Sequence, residues 1–206
     1  TWDDAMSDIA ARLSAVLRRD GSGGVGWYMG NPGAFSYAHT FAALLFMKGL
    51  GRHGHYFTAS SQDTNSRLIA SQLLYGVPTS VPIPDLTRTD LLVMMGANPV
   101  VSHGSFLTAP RIKDRMQDIV KRGGRVVVVD PRRTETAVAF EWLGIVPDSD
   151  SFLLLSLLQV MFSERLVDVD RVSRVADGVD WLRTLSEPFT PEATAARTGI
   201  DPVSVK

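Results

Sequence analysis

Apolar residues arrive along this chain in two rhythms. Leu91–Met95 and residues 126–129 are short unbroken apolar runs rich in β-branched side chains, as expected of strands covered on both faces. Between them Ile112, Met116, Ile119 and Val120 recur at helical spacing, with Pro110 suited to a first helical turn and Gly123-Gly124 to a stop. The pattern predicts a βαβ unit with a right-handed connection. Residues 134–139 read as a short helix or turn, and residues 143–146 as a third strand of the same sheet. Asp150 is placed to cap a helix over 152–162.

The N-terminal third alternates in the same way. Trp2, Met6, Ile9, Leu13, Val16 and Leu17 predict an amphipathic helix, and residues 25–29 a strand running into Gly30-Asn31-Pro32-Gly33. A largely apolar helix over 36–50 and a weak strand over 55–58 follow. A polar cluster from Ser60 to Thr64 leads to a helix over 65–75 and a Pro-rich connector over 79–84. Short amphipathic helices over 168–175, 179–185 and 191–198 close the chain, and Asp201-Pro202 opens another that is not finished. The expected architecture is therefore α/β, an open and mostly parallel Rossmann-like sheet with helices on both faces. It is expected to occupy residues 1–165, with a truncated element of short helices over 166–206 and no clean linker. A start without Met and an unfinished helix suggest a piece of a longer protein.

Composition narrows the chemistry. With 206 residues, 45% hydrophobic content and a net charge of −1, the chain suits one large domain or two small ones. Near-neutrality argues against a nucleic-acid partner bound through bulk charge. With no cysteine, the segment cannot hold an iron–sulfur cluster. No apolar stretch is long enough to span a membrane. His53 and His55 form a close histidine pair that can chelate a metal or simply occupy a solvated Gly-rich loop.

In open α/β sheets ligands sit beyond the carboxyl ends of the strands. The turns there are Gly96-Ala97-Asn98-Pro99 and Asp130-Pro131-Arg132-Arg133, and they are expected to face one crevice. Gly96 lets backbone approach a bulky ligand, and Asn98 offers a donor and an acceptor. Asp130 can accept hydrogen bonds from a ribose diol or from the ring N–H and amino group of a guanine. Arg132 and Arg133 bring cationic forks suited to phosphate. The same residues also read as an ordinary turn and a solvated surface, since no Gly-x-Gly-x-x-Gly or Walker pattern is present. Asn31 lies in a second Gly-Asn-Pro turn, where two like turns can hold two parts of one extended ligand.

Six strings carry a resemblance: Gly30-Asn31-Pro32, Asp63-Thr64-Asn65-Ser66-Arg67-Leu68, Pro82-Ile83-Pro84-Asp85, Gly96-Ala97-Asn98-Pro99, Val129-Asp130-Pro131-Arg132-Arg133-Thr134-Glu135-Thr136-Ala137 and Pro147-x-x-Asp150. In this order, over nearly all of residues 2–175, the chain resembles the molybdopterin oxidoreductase family of formate dehydrogenases, assimilatory nitrate reductases and dimethyl sulfoxide reductases. The resemblance implies molybdopterin guanine dinucleotide carrying molybdenum or tungsten in the parent protein. It also implies a [4Fe–4S] cluster outside this segment. Asn31, Gly96, Asn98, Asp130, Arg132 and Asp150 are then expected at the dinucleotide, with Asp130 and Asp150 toward the guanosine. Arg67 and His103 are the candidates for substrate binding or proton relay.

The chain departs from the family at one place. Where several branches carry a metal-ligating cysteine or selenocysteine, this chain has Ile69, leaving Ser66, Ser61 and Asp63 as substitutes if the alignment slips; both Ser66 and Asp63 also read as helix caps. Two functions follow as expectations. One is a cofactor-binding piece of a two-electron oxidoreductase, inactive and without bound cofactor when isolated. Its partners would be the remaining domains of the parent and an electron-transfer subunit. The other is a non-catalytic scaffold of the same fold that has lost the metal. A cytoplasmic location is expected, with export of the parent left open.

Overall fold

Val126, Val127, Val128 and Val129 place β-branched side chains at four consecutive positions of one strand, and this strand organises what is built around it. The structure, a computed structural model, describes residues 1–30, 33, 36–52, 55–59, 64–80, 82–103 and 109–206. It divides into two compact units, Thr1–Val81 and Pro82–Lys206.

In the first unit, α1 (Trp2–Asp20) opens with a Thr1–Asp4 capping box, with Asp3 and Asp4 in its first turn and Arg18 and Arg19 in its last. These charges complement the helix dipole. β1 (Trp27–Met29) pairs in parallel with β2 (Tyr56–Thr58), in register Trp27↔Tyr56. α2 (Tyr37–Gly49) is capped by Ser36, and α3 (Asn65–Tyr75) ends at left-handed Gly76. Among the described residues of this unit only Ala43, Met47 and Ser71 are fully buried. His55 is held structurally, its Nδ1 lying 3.3 Å from the Val25 carbonyl.

The second unit carries a three-stranded parallel sheet of β3 (Leu91–Met95), β4 (Arg125–Val129) and β5 (Glu141–Leu143), in the order β3-β4-β5. The register is Leu91↔Arg125 through Met95↔Val129, and Val127↔Glu141 through Val129↔Leu143. The chain is thus α/β with short parallel sheets, and the described strands form two sheets rather than one.

α4 (Pro99–Ser102) follows β3, and α5 (Ile112–Lys121) makes the crossover to β4. α5 begins after Arg111, so Pro110 precedes the helix instead of occupying its first turn. Its Ile112, Met116 and Ile119 pack with Leu86 and Val126 on one face of the sheet. Gly124 is needed for close approach. A Cβ there would stand 2.5 Å from the Asp90 carbonyl oxygen and 2.8 Å from Ile119 Cγ2.

The other face is covered by α7 (Asp150–Ser163) and by the end of the chain. Val129 packs with Ile145, Leu153, Val160, Ile200 and Val205. α6 (Glu135–Ala139) lies between β4 and β5. α8 (Val169–Val172), α9 (Val179–Ser186), α10 (Pro191–Thr198) and α11 (Pro202–Val205) complete the unit, with α9, α10 and α11 against α7. Leu91 and Val93 on this face remain 56% and 47% exposed, so β3 is not covered on both sides as its apolar run predicts.

Two further expectations are corrected. The third strand is Glu141–Leu143, not 143–146. Ile145 is apolar because it enters the core from a loop, where the Val146 N–H donates to the Thr198 carbonyl at 2.8 Å. Ser149, not Asp150, is the N-cap residue of α7, and Asp150 is its first helical residue. The Ser149 hydroxyl turns away to donate to the Val146 carbonyl, so no side chain caps this helix.

Candidate functional site

Because β3 and β4 are parallel and in register to their last residues, the turns after them begin side by side. The Gly96 N–H donates to the Val129 carbonyl at 2.9 Å, extending the ladder one step past the strands. β5 adds its carboxyl end to the same edge of the sheet, where the Asp130 N–H meets the Leu143 carbonyl at 3.2 Å. The described part of the candidate site is this rim.

Gly96 has φ +62°, a left-handed conformation that favours glycine. A Cβ there would meet nothing within 4 Å, so conformation, not crowding within the chain, calls for the glycine. Asp130 is only 8% exposed. Its Oδ1 accepts from the Arg132 backbone N–H at 2.8 Å, an Asx-type turn that fixes the carboxylate at the end of β4. Oδ2 has no hydrogen bond among the described residues and retains its acceptor capacity. The Asp130 carbonyl accepts from Trp142 Nε1 at 2.9 Å, and the Arg133 guanidinium lies 5.8 Å from the centroid of that indole ring.

Asn98 is engaged more fully than its sequence position suggests. Its Oδ1 accepts from the Thr136 hydroxyl at 2.8 Å and from the Thr136 backbone N–H at 3.3 Å. Its Nδ2 donates to Glu135 Oε2 at 2.8 Å. The acceptor expected to face a ligand is thus used internally, and one amide N–H is left to offer. Thr136 Oγ1 also accepts from the Val100 N–H at 3.1 Å. Glu135 lies 3.8 Å from Arg132 Nη2, a loose pair in which the arginine side chain stays 68% exposed. The Glu135 carboxyl sits below the usual glutamate range. Its own backbone N–H is the largest cause, then Asn98 and the charge of Arg132.

Gly96, Asn98, Asp130 and Arg132 are therefore brought to one rim. Asp150 enters from the loop that leaves β5 at the same edge, exposed, its carboxylate without a hydrogen bond among the described residues. His103 is the left-handed cap at the end of α4, φ +55°. Arg67, Ser66 and Ile69 lie in α3 of the first unit, Ile69 exposed and chemically unable to ligate. Asn31, Asp63, Ser61 and His53 fall outside the described residues. Among the described residues no group of three or more His, Asp or Glu is arranged to hold a metal ion, and no helix is long and apolar enough to cross a membrane. Thr136, Glu135 and Trp142 were not marked as site residues by the sequence. The signal for the first two was the Thr-Glu-Thr that follows Arg132-Arg133, which alternates polar groups just where a short helix must be capped.

The fold has known counterparts. Acetylene hydratase from Pelobacter acetylenicus superposes with a TM-score of 0.64 at 21% identity, over 100% of this chain and 27% of that one. Among curated proteins, a nitrate reductase of Klebsiella oxytoca is 31% identical over 88% of this chain and 21% of its own length. Formate dehydrogenase H of Escherichia coli is 24% identical over 100% of this chain and 28% of its own. The chain spans about a quarter of the length of these relatives. A family model for molybdopterin oxidoreductases matches residues 1–182. The chain belongs to the molybdopterin oxidoreductase family.

Proposed function

We propose that this chain forms part of the guanine-dinucleotide cradle of a molybdopterin-dependent oxidoreductase. The observation that carries the reading is the Met95↔Val129 register, which delivers Gly96, Asn98 and Asp130 to one rim. The donor set suits the group. Asp130 Oδ2 accepts from the N1–H and amino group of guanine, or from a ribose diol, in a nearly desolvated position where such a bond is strong. The exposed Arg132 fork pairs with phosphate more favourably than with Glu135 at 3.8 Å. Gly96 keeps the floor of the crevice free of side chain. When bound, the pterin and its molybdenum or tungsten supply the two-electron chemistry, while these residues bind and orient the nucleotide end. Asp150 extends the cradle; the resemblance adds Asn31 as a cofactor contact, and Arg67 and His103 stand as candidates for substrate contact and proton relay. The partners of this reading are the remaining domains of the parent and an electron-transfer subunit.

Asp130→Asn tests the reading in the full-length protein. Asparagine keeps the acceptor for Arg132 N–H but sets an amide N–H₂ against the guanine donors. Pterin and GMP content should fall at least about tenfold, with the melting temperature nearly unchanged. Equal loading of the variant would refute the role.

A second reading, a scaffold without metal, is favoured by Ile69, which offers no donor where several branches of the family ligate the ion. Metal and pterin analysis of the full-length protein from molybdate-fed cells separates the two. Absence of both supports the scaffold.

A further inference from the structure

We infer that Thr136 is a positioning residue that locks the two rim turns into one binding surface. This inference rests on reading the rim as a nucleotide cradle. Thr136 is fully buried at the start of α6, and its hydroxyl is used in both directions, accepting from Val100 N–H and donating to Asn98 Oδ1. The Thr136 backbone N–H can only donate, so the atom of Asn98 facing it must be the carbonyl oxygen. The amide orientation is thereby fixed, and Nδ2 is turned toward Glu135.

The bonds run in a chain across the rim. Val100 N–H reaches Thr136, Thr136 reaches Asn98, and Asn98 reaches Glu135. Glu135 faces the Arg132 side chain, and the Arg132 N–H holds Asp130. Thr136, with no exposed surface, is the most deeply buried member of this hydrogen-bonded series. Thr134, which caps α6 through a 3.2 Å bond to the Ala137 N–H, sets the height at which Thr136 enters. The ligand groups of the β3 turn and of the β4 turn thus share a single hydroxyl as their fixed point. A ligand bridging both turns meets them already aligned, and does not bear the ordering cost.

Thr136→Val keeps volume and branching but removes the hydroxyl, and Thr136→Ser keeps the hydroxyl. Both are made in the full-length protein. The readouts are pterin fluorescence and acid-released GMP during dilution, with hydrogen exchange at the Val100 amide. Thr136→Val should release cofactor about tenfold faster and lose protection at Val100, while Thr136→Ser should match the wild type on both. Because Thr136 acts through Asn98, Thr136→Val should add almost nothing to the loss caused by Asn98→Ala. Wild-type retention in Thr136→Val, with Val100 unprotected, overturns the inference and leaves the cradle reading intact. So do fully additive losses. A wild-type protein holding neither pterin nor GMP overturns both together. If Thr136→Val does not fold, Glu135→Ala on the exposed side of the same chain should still speed release about threefold. Unchanged release in that variant overturns the inference as well.

Discussion

The two halves of one sheet face, on the side of α7, are treated very differently. At the carboxyl half, Val129 is buried against Leu153, Val160, Ile200 and Val205, with Met95 and Leu143 partly buried beside it. At the amino half, Leu91 and Val93 of the same strand stand open. On the opposite face Ile112, Met116 and Ile119 of α5 pack with Val126, and Leu92 and Met94 are partly buried against them. On the α7 side packing is therefore concentrated beneath the rim turns, where a rigid floor has most effect on how Gly96, Asn98 and Asp130 are presented. The difference teaches that on this face burial follows the carboxyl end of the sheet, not the strand as a whole.

Substitutions can break this contrast or sharpen it. Met116→Ala on the α5 face should cost the most, about 2–5 kcal/mol in chemical denaturation, since a wholly buried side chain leaves a cavity. Val129→Ala under the rim should cost about 2 kcal/mol, and Val93→Ala on the same face under about 0.5 kcal/mol. Equal costs for these two valines would erase the distinction. Gly124→Ala should cost about 1–3 kcal/mol, because the Asp90 carbonyl that its Cβ would strike is backbone and cannot swing aside.

The smallest effect is a pH dependence. The folded Glu135 carboxyl lies below its unfolded range, so its contribution to stability is present above about pH 4.3 and is lost as pH falls through the lowered folded value. The melting temperature of the wild type should decline over that window more than that of Glu135→Gln. Asp85, held down to about 2 by Thr87 and Arg88, contributes equally to both proteins and drops out of the comparison.

The sequence announced β3, α5 and β4 clearly, because β-branched runs and helical spacing are local signals and Gly123-Gly124 ends the helix in place. It misplaced β5 because Ile145 is apolar for tertiary reasons, while Glu141 enters the strand under a cross-strand pair with Arg125 at 2.7 Å. An edge strand that begins with a charge gives no periodic signal. At the rim, the turn residues were legible from their position after the strands. The internal engagement of Asn98 was not, since its partners Glu135 and Thr136 lie 37 and 38 residues downstream. Turn chemistry can be read from neighbours, but a hydrogen bond across two turns depends on the register that sets them side by side.

The hydrogen bond from Val146 to Thr198, and the seating of Ile200 and Val205 beside Val129, carry a practical lesson for anyone transplanting this crevice. A graft trimmed after α7 would keep every residue of the rim yet uncover the valine immediately behind Asp130. Whoever wishes to display this rim on another scaffold must carry residues 164–206 along as its backing plate.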